Sequence, residues 1–133
     1  MKIQQTINHW HTLIEKNQPE LLNLLLAEDA VFHSPVLHTP QKGKALTAMY
    51  LSAAMKAFED TGFHYKKEIM QDKHAALEFE AEIDGVVING VDIITCNDKS
   101  QVTEFKVMLR PAQGLQKMQE KMLEMLGRKN KSE

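Results

Sequence analysis

At 133 residues and 15.2 kDa the chain has the size of one ordinary domain, large enough to bury a real core. Sixteen basic against eighteen acidic residues leave a formal net charge of -2, so there is no basic field to neutralise phosphates, and nucleic acid is excluded as an expected partner. A single cysteine, Cys96, cannot close an intramolecular disulfide; the N-terminal stretch MKIQQTINHWHTLIEK is interrupted by polar residues, and the richest apolar run, Leu21 to Ala27, is far short of the ~20 residues that span a bilayer. The expectation is a cytoplasmic protein with no membrane partner.

Ile3, Ile7, Trp10, Leu13 and Ile14 recur at helical spacing and predict a first helix with Trp10 on its inward stripe. Gln18 and Pro19 predict the start of a second helix, since proline suits the first helical position, and its body LLNLLLA reads as buried almost all round. Ala30 to Ser34 predicts a short strand ended by Pro35, followed by a loop to Lys42. A third helix follows Gly43, with Leu46, Tyr50, Ala53, Ala54, Ala57 and Phe58 on one face and Gly62 beyond its end. The period then changes from helical to two. Phe63 to Gln71 predicts a strand, and Ala75 to Asp84 alternates Ala75, Leu77, Phe79, Ala81 and Ile83 against Glu78, Glu80 and Glu82. Asp84-Gly85 is a hairpin signal leading into Val86 to Cys96; another turn, Asn97 to Ser100, leads into Val102 to Leu109. Leu115, Met118, Met122, Met125 and Leu126 outline a last amphipathic helix before a polar tail from about residue 127. Helices and one short strand followed by an antiparallel meander make a single α+β domain.

Within VVINGVDIITC the residue that needs explaining is Asp92. An isolated ionised carboxylate in a strand packed on both faces costs several kcal/mol, so Asp92 must be paired, hydrogen-bonded or kept neutral by a raised pKa. It is the first candidate for a functional group; a purely architectural carboxylate is the alternative. No Gly-rich phosphate loop, nucleophile elbow or cluster with metal-ligand spacing is present, and His9 and His11 point to different faces of their helix, so neither cofactor nor metal is expected.

The segments Leu25 to Phe32, Lys42-Gly43-Lys44, Gly90 to Ile94 and Glu104 to Pro111, in this order of elements, resemble the nuclear transport factor 2-like superfamily, and more narrowly its SnoaL-like branch of polyketide cyclases and ketosteroid isomerases. The resemblance implies a cystatin-like, cone-shaped curved antiparallel sheet wrapped around N-terminal helices, here with an extra C-terminal helix. It puts Asp92 on the concave side, where ketosteroid isomerases carry a protonated aspartate; the handling of such a neutral acid is known from that enzyme. It also shows departures. Ser34 stands where those isomerases place a general-base aspartate, and Trp10 where they place a tyrosine donor, which argues against steroid-isomerase chemistry.

The expected pocket wall combines Asp92 and its alternation neighbours Ile88, Gly90, Ile94 and Cys96 with Leu77, Phe79, Phe105, Val107 and Leu109 from the resemblance. Trp10, Ser34 and His38 are expected to contact a ligand, and His33 is a further acid/base candidate if a local twist turns it inward. An apolar wall with one polar point suits a small hydrophobic molecule. The opposite face carries Val87, Val91, Ile93 and Met108 and is expected to pair across a homodimer axis. The functional expectation is a domain that binds a small apolar ligand, with acid/base turnover of isomerase, cyclase or dehydratase type left open; the alternative is a non-catalytic interaction or dimerisation module.

Overall fold

A computed structural model describes residues 2–131. Helix α1 (Lys2–Glu15) buries Ile3, Ile7, Trp10 and Leu13, as its period requires. A 3-10 turn (Pro19–Leu21) and a single helical turn α2 (Leu22–Leu25) lead directly into strand β1 (Leu26–His33). The expected second helix is therefore cut short: Leu26 is extended and pairs with Val102, while Leu24 is exposed. Leucine and alanine are good helix formers, but propensity yields to tertiary context, and the sheet partner available to Leu26 overrides it.

A short strand β2 (Gln41–Lys42) pairs with β1 inside the segment expected to be loop, and α3 (Lys44–Ala57) follows Gly43. Then come β3 (His64–Gln71), β4 (His74–Ile83), β5 (Val86–Cys96) and β6 (Val102–Arg110). The six strands form one curved sheet in the order β2-β1-β6-β5-β4-β3. Its pairings are antiparallel except β1 with β6, which run parallel, so the sheet is mixed. The meander ends beside β1 in the same direction because α3 carries the chain away from β1 before the four strands zigzag back.

Helix α4 (Ala112–Lys131) continues through residues 127–131 of the expected polar tail; residues 132 and 133 lie outside the described residues. Lys117 and Lys121 both reach Asp84 at the β4–β5 turn, 3.7 and 3.3 Å away, and tie the helix to the rim of the sheet.

Buried side chains alternate along β4 and β5 and define the concave face. One cluster packs under α1, with Ile3, Ile7, Leu13, Leu26, Leu77 and Ile94 among its members. A second, smaller one joins α3 and α4 to the other end of β5 through Ala57, Ile83, Ile88 and Met118. Between these two packed regions the concave face is left open.

Candidate functional site

The open region is a cavity of about 420 Å³. The chain contains one tryptophan, two tyrosines and five phenylalanines, and all of them contribute to its wall. They come from separate elements: Trp10 from α1, Phe32 from β1, Tyr50 from α3, Phe79 from β4 and Phe105 from β6, with Phe58 and Phe63 between α3 and β3 and Tyr65 on β3. Their rings meet at inclined angles, Trp10 against Phe105 at 5.0 Å and 62°, Phe63 against Tyr65 at 5.1 Å and 81°. Helix α4 closes one side with Met118, Met122 and Leu126.

Asp92 lies on this wall, 5% exposed. Its cross-strand neighbours are Leu77 on β4 and Val107 on β6. Tyr65 reaches it from two strands away, its hydroxyl donating to Asp92 Oδ2 at 2.6 Å, and that hydroxyl accepts the Trp10 Nε1–H at 2.8 Å. Gly90 makes room for the Phe79 ring on β4, the strand between those of Tyr65 and Asp92. Tyr65 pairs with Phe79 and Phe79 with Gly90; a Cβ on Gly90 would overlap the Phe79 ring and the Leu109 side chain and stand 2.8 Å from the Met108 carbonyl. No protein group among the described residues bonds the other carboxyl oxygen, Oδ1, and no fully covered side-chain oxygen or nitrogen lacks a partner, so Oδ1 is the oxygen open to the cavity.

Burial pushes the Asp92 carboxyl up to about 7, against the lowering effect of the Tyr65 hydrogen bond. Burial foremost, and then the neighbouring carboxyl, push the Tyr65 phenol well above its ordinary value. Asp92 can therefore present either a proton or a lone pair to the cavity near neutral pH, whereas the Tyr65 hydroxyl has both its donor and an acceptor site occupied.

Of the residues singled out in the sequence, Trp10, Ser34, Phe79, Asp92, Phe105, Val107 and Leu109 line the cavity. Leu77, Ile88, Ile94 and Cys96 share its side of the sheet and are fully enclosed in the packed regions. Ser34 Oγ accepts the backbone N–H groups of Val36 and Leu37 at 3.1 and 3.3 Å, which makes it a loop-shaping group. His33 and His38 border an adjoining depression that shares Ser34, Pro35, Val36, Leu37, Val107 and Leu109 with the cavity wall and also includes Lys106 and Met108; His33 Nε2 lies 3.6 Å from Glu104. The structure brings neither histidine to Asp92.

Sequence reasoning passed over Tyr65, the direct partner of Asp92. Its one signal is an aromatic with a polar end, two residues after Phe63 in a strand of otherwise polar character. Phe58, Phe63 and Tyr50 were legible only as apolar positions of their elements.

The SnoaL-like domain model matches residues 7–105. No curated relative matches the sequence. Among solved structures, a steroid delta-isomerase from Pseudomonas aeruginosa is similar with 33% identity and a TM-score of 0.90, covering 96% of this chain and 93% of that one. A Silicibacter pomeroyi protein with a cystatin-like fold has 28% identity and a TM-score of 0.80, covering 88% of this chain and 82% of that one. A Mycobacterium tuberculosis protein solved in complex with estradiol-17beta-hemisuccinate shares the fold, with 16% identity, a TM-score of 0.63 and coverage of 83% and 98%. A match across most of the length, from α1 into β6, together with the curved sheet and its C-terminal helix, means that the chain belongs to the SnoaL-like domain family.

Proposed function

We propose that the chain binds a small, mostly apolar molecule in the cone, anchored at one polar point by Asp92. The observation that carries this is a cavity of about 420 Å³ with an aromatic wall and one carboxyl oxygen, Asp92 Oδ1, that is open to it and has no protein partner among the described residues. Its volume sits in the ~300–1,000 Å³ range of ligand sites, and the composition fits one. The steroid isomerase from P. aeruginosa and the estradiol derivative in the M. tuberculosis protein support a ligand of fused-ring size.

Acid/base turnover of isomerase, cyclase or dehydratase type would rest on Asp92 alone. A proton shuttled between two substrate carbons can be carried by one carboxyl, but general-base efficiency needs that group within hydrogen-bond reach of the carbon acid. Binding is the stronger reading, because Ser34 is committed to its loop and His33 is turned to the other side. A buried free Cys96 fits the reducing cytoplasm.

Val87 and Met108 are about half exposed on the convex face, next to the partly covered Val91 and Ile93. Their side-by-side placement favours a homodimer through that face. Sedimentation at micromolar concentration is expected to give a dimer that Met108→Glu splits; a wild-type monomer removes this part of the proposal.

The test of binding is thermal unfolding against steroids, polyketide-like phenols, terpenoids, fatty acids and aromatic acids. A ligand at a hundred times its dissociation constant adds ~2.7 kcal/mol and several degrees of midpoint. A shift with one class, lost in Asp92→Ala, is the expected result. No shift with any class overturns the binding reading in favour of an interaction module.

A further inference from the structure

We propose that the cavity takes a protonated amine carried on an apolar ring skeleton, with an ammonium N–H donated to Asp92 Oδ1 and the surrounding aromatic faces enclosing the cation. The inference rests on the cavity being a ligand site and names the chemistry of what enters it.

Charge is the first argument. The cavity wall includes three carboxylates, Asp92 inside and Glu59 and Asp60 at the exposed rim. Among the described residues it includes no lysine, arginine or histidine, although the chain carries sixteen lysines and arginines. A ligand carboxylate or phosphate would meet three like charges on this wall and, among the described residues, no cation of the wall to receive it; the basic groups His33, His38 and Lys106 stand in the adjoining depression. An ammonium group meets the opposite sign at each of the three.

The second argument is the wall itself. Ring faces attract cations within about 6 Å of their centroids, and cages of several rings are the general solution for binding alkylated ammonium groups. Every tryptophan, tyrosine and phenylalanine of this chain contributes to the one cavity. Trp10 with Phe105 at 5.0 Å, and Phe63, Tyr65 and Phe79 among themselves at 4.9 to 6.3 Å, make two groups of inclined ring contacts, joined by the Trp10–Tyr65 hydrogen bond beside the carboxyl. Such a wall takes an apolar ring skeleton by its large buried area, and its ring faces add attraction for a cation that leucine and valine would not supply.

The third is the state of Asp92. Tyr65 donates to Oδ2 and is itself fixed by Trp10, an arrangement that hydrogen-bonds a carboxylate and leaves Oδ1 as an acceptor directed at the cavity. A carbonyl ligand would need the proton on Oδ1. An amine ligand needs it gone, and its own charge draws the carboxyl to the ionised form. The groups that face Asp92 do not oppose this. Strand β3 offers Tyr65; α1 offers Trp10, with His11 against the Tyr65 ring and bonded to Glu68; β4 and β6 offer Leu77 and Val107; α4 offers the uncharged Gln119 to the same cavity.

The experiment compares three probes on one skeleton, 2-aminotetralin, 2-tetralone and tetralin-2-carboxylate, by calorimetric titration of the full chain from about pH 5.5 to about pH 8.5. The amine is expected to bind at least about tenfold more tightly than either analogue at neutral pH, with its affinity rising about tenfold per pH unit up to about 7 and levelling above it. Asp92→Asn is expected to lose at least about tenfold in amine affinity and all of its pH dependence. Phe63→Leu should weaken the amine more than the ketone, and circular dichroism of each variant establishes that it is folded. Tighter binding of the ketone or the carboxylate, or equal amine affinity in wild type and Asp92→Asn, overturns the amine inference and leaves the ligand-binding reading intact. Failure of all three probes at every pH overturns the amine inference, and the ligand-binding reading falls with it only when the thermal-unfolding panel shows no shift either.

Discussion

Asp92 has two cross-strand neighbours on the concave face, and they live in different worlds. Leu77, on the β4 side, is completely buried among the side chains under α1. Val107, on the β6 side, is only partly covered and faces the cavity. Both are apolar, both lie in register with the same carboxyl, and both point to the same side of the sheet. What separates them is coverage: Leu77 is enclosed in the cluster beneath α1, while Val107 packs at the edge of that cluster and lines the cavity that α4 closes from the side. The sheet supplies a continuous inward face, and the helices decide where that face becomes core and where it becomes a pocket. Asp92 sits on the border, with Oδ2 taken by Tyr65 on the β3 side and Oδ1 left to the hollow.

The largest expected effect tests whether that border is dry. The Asp92 carboxyl is held at about 7 in the folded chain against 3.8 for a free side chain. Between those values the folded state keeps a proton that the unfolded state has lost, so this contribution favours folding below the lower value and disappears as pH rises through the upper one. At 1.36 kcal/mol per unit the whole change is roughly 4 kcal/mol. Urea unfolding across this pH range should show the wild type losing that much relative to Asp92→Asn, which has no proton to lose. Parallel pH profiles for the two proteins would mean that water solvates Asp92, and the contrast between its flanks would collapse.

Leu77→Ala probes the packed flank directly. Removing a fully buried leucine from beneath α1 should cost about 3 kcal/mol, the transfer term plus the cavity it leaves. A cost below about 1 kcal/mol would show that the region over β4 is as yielding as the region over β6. Next in size is Tyr65→Phe. It strips Oδ2 of its donor and the Trp10 Nε1–H of its acceptor, so about 2 kcal/mol should be lost, more of it above neutral pH, where the bond holds an ionised carboxyl, than below. The same change should raise the apparent pKa of Asp92 further, because the Tyr65 bond is the one influence that lowers it; carboxyl NMR titration reads this directly.

How much of this was legible beforehand follows from the range of the interactions. The alternation of Ala75 to Ile83 and the Asp84-Gly85 turn are local patterns, and β4, β5 and their register could be read from them. Asp92 stood out because a carboxylate in an apolar run is a local contradiction. The truncation of α2 could not be read, because Leu22 to Ala27 favours helix until Val102, 76 positions beyond Leu26, arrives to pair with it. Tyr65 was missed for the same reason: it meets Asp92 by reaching across β4, between strands that are not neighbours in the sheet. Leu77, Ile88 and Ile94 were expected on the pocket wall because alternation reports the side of the sheet a residue faces; it carries no information about the helix that lies over it.

Val107→Ala is the smallest expected effect and the sharpest partner to Leu77→Ala. The substitution enlarges an existing hollow, so no new void is created and no neighbour loses its only packing surface; the cavity term that dominates at Leu77 is absent. What remains is the transfer of two methyl groups that are already partly open, about 1 kcal/mol or less. The strand itself should hold, because the β5–β6 pairing on either side of Asp92 is made by the backbone. A loss near 3 kcal/mol in urea unfolding would mean that side chains collapse onto Val107 in solution and that the hollow is closed when empty. A small loss, set beside a large one at Leu77, would assign the difference between core and pocket to the helix overhead, since the two residues flank the same carboxyl on the same face.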